Sequence, residues 1–214
     1  MNAMILAAGR GERMRPLTDH CPKPLLEVRG KPLIVHHLEA LAKAGIRSVV
    51  INLSWLGSQI REALGDGTAH GLRIHYSEEP EALETAGGIV QALDQLDEEF
   101  IVVNGDVFTD FDFRDLLALD AQAKLVLVAN PSHNPNGDFA IQQGMLSNDM
   151  AERFTFSGIA AYRKSFFASV PAGRSALAPL LRSGADAGVI SAVLHTGSWS
   201  DVGTPARLDE LNSR

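Results

Sequence analysis

Short apolar runs alternating with helix-like stretches constrain this chain more than any other feature. Candidate strands are Ala3–Ala7, Ser48–Leu53, Leu72–Tyr76, Phe100–Val103, Lys124–Ala129 and Val189–Leu194. Several are continuous runs of Val, Ile and Leu, as befits strands buried on both faces of a sheet. Between the first four lie Pro32–Ala44, Leu56–Leu64 and Thr85–Leu96, whose apolar residues recur three or four apart and predict helices. Pro32 suits a first helical turn, and Gly45 follows the last periodic residue of its segment. The alternation predicts an α/β fold with a mostly parallel sheet and helices on both faces. Ligands of such sheets bind beyond the carboxyl ends of the strands, at a topological switch point. The polar tips after Ala7, Val103 and Leu194 are therefore the places to look for a site. No internal repeat, low-complexity tract or linker divides the chain, so residues 1–214 are expected to form a single domain.

A chain of 214 residues buries a large core without help from disulfides or a structural metal. Its lone cysteine, Cys21, has no internal partner, which suits a reducing, cytoplasmic setting. The formal net charge of −7, with no run of basic residues, argues against a nucleic-acid polymer as partner. Small phosphate ligands remain open, because a few converging cations suffice for them. The N-terminus places its apolar stretch before its arginines, the reverse of a signal peptide, and that stretch is too short to span a bilayer. No membrane partner is expected, and a monomer is the default.

The most informative segment is Leu6–Leu26, LAAGRGERMRPLTDHCPKPLL. A buried strand ends at Ala7 and the chain enters Gly9-Arg10-Gly11, where glycines allow a tight turn and bring backbone N–H groups against phosphate oxygens. Arg13 and Lys23 follow, with Pro16, Pro22 and Pro24 stiffening the path between them. A dinucleotide fingerprint fails because Met14 stands where a third glycine is needed, and a Walker A loop fails because Gly-Lys-Ser/Thr is absent.

The pattern L-A-A-G-x-G-x-R-x-x-P followed by P-K-P-L resembles the signature of the sugar nucleotidyltransferases. The resemblance implies a Rossmann-like three-layer sandwich of the nucleotidyltransferase, GT-A-like kind, with residues 1–110 as the nucleotide-binding half and 111–214 as the sugar-binding half. It implies that Ala7, Ala8, Gly9 and Gly11 line the triphosphate while Arg13 and Lys23 act on the phosphates in catalysis. Asn104-Gly105-Asp106 follows an apolar strand, where a carboxylate is well placed to hold Mg²⁺ against a triphosphate. The resemblance gives Asp106 that role and Asn104 a place at the nucleotide; the plain alternative is a turn aspartate bonded to nearby backbone. Asp201, in Trp199-Ser-Asp-Val-Gly-Thr-Pro205, is similar to the family's second metal segment, and Thr204 with Pro205 should cap the closing helix. Asp112 should cap a short helix, with Asp110 and Asp115 solvated.

The segment Glu78–Gly88 resembles the family's nucleobase-binding stretch, which usually ends in Gly-Thr-Ala-Gly; here Glu84 replaces the first glycine. Alignment on Thr-Ala-Gly puts Glu79 where many uridylyl and thymidylyl members carry glutamine, so Glu79 and Gly88 are candidate base contacts. An oxygen at Glu79 accepts the N3–H of uracil, although guanine offers a similar donor. Gly87 and Gly88 have a packing role as the alternative. On the sugar side the family's Glu-Lys pair is missing between Asn130 and Phe156, and a missing or flexible loop is conceivable near 144–153. Arg153 is a substitute cation, and Ser157-Gly158 is similar to the segment that cups the sugar, or else an edge strand with a glycine bulge. His36 and His37 are adjacent on a helix, cannot share one face as ligands, and are read as packing residues.

The chemistry implied is in-line displacement of pyrophosphate by a sugar 1-phosphate, with Mg²⁺ as cofactor and no protein general base. Overall length and the segment Asn130–Phe139 resemble the family's uridylyltransferases of bacterial cell-wall recycling, which implies UTP and N-acetylmuramate α-1-phosphate as substrates. Mannose- or glucose-1-phosphate nucleotidyltransferase is the alternative, and a non-catalytic nucleotide-sugar sensor is a third reading on the same fold.

Overall fold

A computed structural model describes residues 1–149 and 152–213. The strands are β1 (Asn2–Leu6), β2 (Glu27–Val28), β3 (Lys31–Pro32), β4 (Ser48–Leu53), β5 (Arg73–Glu78), β6 (Glu99–Asn104), β7 (Val107–Thr109), β8 (Ala123–Val128), β9 (Ala140–Gln142), β10 (Met145–Ser147), β11 (Thr155–Arg163), β12 (Ile190–His195) and β13 (Trp199–Asp201). The α-helices are α1 (Leu33–Lys43), α2 (Gly57–Leu64), α3 (Glu84–Ala92), α4 (Leu177–Asp186) and α5 (Pro205–Asn212). All six strands expected from the apolar runs form, each within two residues of its predicted bounds, and the three helices expected between the first four form as well.

One nine-stranded sheet, in the order β5-β4-β1-β6-β11-β8-β12-β10-β9, runs through both halves of the chain. β1 pairs in parallel with both β4 and β6, β4 with β5, and β8 with β12, whereas β11 runs antiparallel between β6 and β8. Successive residues of a strand point to opposite faces. In β1, Ala3 and Ile5 pack into one core with Ile34, Leu38 and Leu41 of α1 and Ile60 and Leu64 of α2. Met4 points the other way, into a second core with Ala86 and Ile89 of α3 and Leu177 and Leu181 of α4. The architecture is thus the three-layer α/β sandwich expected, with both sheet faces covered.

The end of α1 follows from its sequence. Gly45 adopts φ +96°, its N–H donates to Ala42 O at 3.0 Å, and the Ile46 N–H donates to Leu41 O at 3.1 Å. These are the two bonds of a Schellman motif, which releases the chain towards β4. Asp112 accepts from the Arg114 N–H and Thr204 from the Arg207 N–H, so both predicted caps form. Pro32 sits one residue earlier than expected, at the N-cap of α1.

The Phe156–Ile159 segment departs from the edge-strand reading. It belongs to β11, which is central, flanked by β6 and β8, with a register shift between Phe156 and Ile159. Strand order depends on pairings between distant segments, which local patterning does not encode. Within 144–153, residues 145–147 form β10 in a hairpin with β9, while residues 150 and 151 lie outside the described residues. Among the described residues no helix is long and apolar enough to cross a membrane.

Candidate active site

From β1 the chain passes through β4 to β5 on one side of the sheet and to β6 on the other. The strand order therefore switches between β1 and β6, and the crevice opens at their carboxyl ends. A cavity of about 370 Å³ lies there, lined by Ala7, Ala8, Gly9, Gly11, Arg13, Lys23, Glu79, Asn104 and Asp106 among others. Nine of the predicted site residues thus come together. Gly11 holds the turn with φ +69°, and a Cβ there would stand 2.9 Å from Thr18 Cγ2, so backbone and space both call for glycine.

The loop sorts its cations by partner. Arg10 is occupied: it donates to Thr18 O at 2.9 Å, pairs with Asp19 at 3.0 Å and lies over the Trp55 ring. The Arg10 hydrogen bond holds the Asp19 carboxyl below the usual carboxylate range. Arg13 is exposed at the cavity and has no ion pair among the described residues. Lys23, only 11% exposed, reaches across the cavity to Asp106, with Nζ 2.5 Å from Oδ2.

The backbones of Asp106 and Asp201 lie close together, although 95 positions separate them in sequence, but Asp201 does not itself line the cavity. β7 pairs antiparallel with β13, setting Asp201 opposite Val107, and the Val202 N–H donates to Asp106 O at 2.7 Å. Asp201 is held by Arg207 and, at 3.2 Å, by His133. The fit to Mg²⁺ is chemical: two hard carboxylates, Asp106 in the turn before β7 and Asp201 at the end of β13, with Asp106 a third exposed. Mg²⁺ characteristically takes one or two carboxylates and completes its shell with substrate phosphates and water. Among the described residues no cluster of three or more potential protein ligands forms.

In the cavity wall, Asn52 and Glu79 belong to a buried hydrogen-bonded chain. The Ala7 N–H donates to Asn52 Oδ1 at 2.7 Å, Asn52 Nδ2 donates to Glu79 Oε1 at 2.7 Å, and the Leu83 N–H donates to Glu79 Oε2 at 3.1 Å. Gly88 is not on the cavity wall. A Cβ there would lie 2.5 Å from Glu79 Oε1, so this glycine makes room for the carboxylate. Gly87 packs α3 against the loop through Gly173, and its N–H, like that of Ala86, donates to Ser175 O.

The sugar-side expectations fare differently. Ser157 turns inward, 1% exposed; its hydroxyl donates to Val126 O at 2.7 Å and accepts from the Ile159 N–H at 3.1 Å. That hydroxyl substitutes for ladder bonds interrupted at the bulge and is not presented to a sugar. Gly158, at φ +79°, packs against Asn104. Arg153 donates to Asn148 O at 2.7 Å and lines a different cavity, with Asn130, Pro135 and Asn136. These three residues do not join the cavity described above. Asp110 is solvated as expected, 58% exposed, and also meets His195 Nε2 at 2.9 Å.

Sequence reasoning missed Asn52, His133 and Arg207. Asn52 had a signal, a polar residue closing the run Val49-Val-Ile at the carboxyl end of a strand. His133 had none, since the 130–138 loop brings it to Asp201 from far away in sequence, whereas Arg207 stands in the first turn of α5, close after Asp201. His36 and His37 are packing residues, as expected. His36 sets its ring edge-on to Phe108 and bonds to Val28 O at 2.9 Å, while His37 is buried with no partner for Nε2 among the described residues. Burial pushes the His37 pKa down to about 4.

A family model described as nucleotidyl transferase matches residues 2–155. The chain is 52% identical to an N-acetylmuramate alpha-1-phosphate uridylyltransferase from Neisseria meningitidis serogroup B, over 100% of this chain and 97% of that protein. It is 30% identical to a mannose-1-phosphate guanylyltransferase from Mycobacterium tuberculosis, over 96% of this chain and 62% of that protein. Among solved structures, a putative glucose-1-phosphate thymidylyltransferase from Bacillus anthracis superposes with a TM-score of 0.90 at 22% identity, covering 100% of this chain and 94% of that one.

Proposed function

Starting from the premise that this chain belongs to the nucleotidyl transferase family, we propose that it is a uridylyltransferase converting UTP and N-acetylmuramate α-1-phosphate into UDP-N-acetylmuramate and pyrophosphate. The observation that carries the reading is the cavity at the β1–β6 switch point, where Lys23 and Asp106 meet beside the glycine turn. The similarity to the Neisseria protein over the whole chain supports this choice of substrates within the family. Such a role belongs to bacterial cell-wall recycling in the cytoplasm, acting as a single domain.

The nucleophile, a phosphate oxygen of the sugar 1-phosphate, is anionic at neutral pH and needs no protein base. The protein's task is to bring two repelling anions into line and to stabilise charge on the pentavalent phosphorus. Gly9 keeps a side chain out of the path of the triphosphate, and Gly11 gives the turn its left-handed backbone. Lys23 and Arg13 supply positive charge on the loop side. Asp106 and Asp201 would hold Mg²⁺, which supplies Lewis-acid charge neutralisation at the phosphates when bound. Lys23 then exchanges its carboxylate partner for a phosphate oxygen. Glu79 faces the base, and Gly88 supports it from behind.

Pyrophosphate release is to be measured with four nucleoside triphosphates crossed with N-acetylmuramate, mannose, glucose and N-acetylglucosamine 1-phosphates. UTP with N-acetylmuramate α-1-phosphate is expected to give the highest kcat/KM. A preference for GTP with mannose 1-phosphate would replace the substrate assignment, and no release from any pair would end the enzymatic one.

A further inference from the structure

The buried chain through Asn52 carries more information than a base contact at Glu79 alone. Each link has only one possible direction. The Ala7 N–H is a donor, so the Asn52 atom facing it at 2.7 Å must be the oxygen, and the amide is thereby oriented. Nδ2 must then point at Glu79, where it meets Oε1 at 2.7 Å. The backbone N–H of Leu83 meets the other oxygen, Oε2, at 3.1 Å. Both oxygens of Glu79 are thus required to be acceptors, each with one lone pair left over. Asn52 and Glu79 are 3% and 4% exposed, and both line the cavity. Glutamine, nearly the same shape, fails in this setting: its NH₂ group would face one of the two donors whichever way it turned.

We propose that Asn52 is a positioning residue that locks Glu79 into an acceptor-only edge, restricting the site to nucleobases that present a ring N–H there. Uracil, thymine and guanine meet that condition; cytosine and adenine place a lone pair at the corresponding ring nitrogen and are repelled. The inference rests on the nucleotidyl-transfer reading for its ligand class and goes beyond it in naming what sets the selectivity. Asn52 also ties β1, which feeds the phosphate loop, to β4 and to the β5–α3 connection, so base and phosphate subsites share one frame.

The test is a charge-swapped pair of substitutions. Glu79→Gln and Asn52→Asp each set two like groups face to face. Each is expected to lower the Tm and to raise KM for UTP about tenfold or more, leaving KM for the sugar phosphate within about twofold. In the double variant N52D/E79Q, Asp at 52 accepts from the Ala7 N–H and from the new amide, while the amide oxygen accepts from the Leu83 N–H. Every donor again faces an acceptor, so the Tm should return to near the wild-type value. Selectivity should not return, because one acceptor of the base edge has become a donor. The ratio of kcat/KM for UTP over CTP, expected at about a hundredfold or more in the wild type, should fall below about tenfold.

A double variant no more stable than the worse single variant overturns the proposed chain, and so does wild-type UTP/CTP discrimination in the double variant. Should neither single variant fold, the double variant alone decides. Calorimetric binding of UTP and CTP to the wild type, without sugar phosphate, separates this inference from the functional one. Equal affinities refute the acceptor edge even if transfer occurs, and a clear UTP preference supports it even if no sugar phosphate reacts.

Discussion

Two side chains make the sharpest residue-level tests. Lys23 is the cation best placed to follow charge from Asp106 to a phosphate, since it is preformed, mostly buried and 2.5 Å from that carboxylate. Lys23→Ala is expected to lower kcat with UTP at least about tenfold, the scale for losing one preorganised electrostatic group. The fold should survive, because the abandoned Asp106 is a third exposed and can rehydrate; unchanged far-UV circular dichroism with near-normal turnover would remove Lys23 from the mechanism. His37, in α1, is buried with Nε2 unpartnered among the described residues and its pKa pushed down to about 4 by burial, from 6.5. Between those values the unfolded chain binds a proton that the folded one refuses, so stability falls as pH drops from 6.5 towards 4. The full loss is about 3 kcal/mol by linkage. His37→Leu removes the titration, and urea unfolding from pH 7 to pH 4 should show a correspondingly shallower acid limb. An acid limb as steep as in the wild type would mean that His37 is protonated inside the fold.

Elements built from local signals were legible in the sequence; those built from distant pairings were not. The strands ending at Leu6, Leu53 and Asn104 announced themselves as short apolar runs, and the Schellman end of α1 was marked by Gly45. The glycine turn, Lys23 and Asp106 came from a long motif and line one crevice, while backbone pairing carries Asp201 to the neighbourhood of Asp106. Ser157 was misread because its environment depends on β11 lying between β6 and β8, which turns the hydroxyl into a bulge rather than outward. Residue Glu84 shows the converse, a departure from a family pattern whose physical meaning the backbone supplies. It opens α3 at φ +60°, a left-handed conformation that glycine adopts freely and other residues adopt at a cost of roughly 1 kcal/mol. Its exposed pair with Arg174, at 2.7 Å, offsets little of that. Glu84→Gly should therefore leave the Tm unchanged or raise it slightly, in contrast to a glycine placed inside a helix. A fall of several degrees in a thermal melt would show that Arg174 or the Glu84 side chain contributes more than an exposed pair does.

At the scale of the whole molecule, the site exists because one sheet spans both halves of the chain and the β7–β13 ribbon folds its far end back onto its near end. Asp106 arrives from the first half and Asp201 from the second, and each is neutralised in the free protein by a cation, Lys23 or Arg207. A chain with net charge −7 thereby avoids two uncompensated carboxylates in one neighbourhood. The same arrangement predicts that triphosphate and Mg²⁺ bind as a unit: the metal offsets the carboxylates, and the phosphates take up the cations that they release. A ligand that binds only the folded state at about a hundred times its Kd adds roughly 2.7 kcal/mol of stability. For a chain of this length that corresponds to a rise in Tm of about 5–10 °C. UTP with Mg²⁺ should give that shift in scanning fluorimetry, UTP with EDTA a much smaller one, and Mg²⁺ alone almost none. Asp106→Asn and Asp201→Asn, which keep size and most hydrogen bonds, should each remove the Mg²⁺-dependent part while leaving the EDTA value nearly unchanged. If Asp201→Asn retained the full Mg²⁺-dependent shift, that carboxylate would serve its pairs with Arg207 and His133 alone, and the metal would rest on Asp106 and the phosphates.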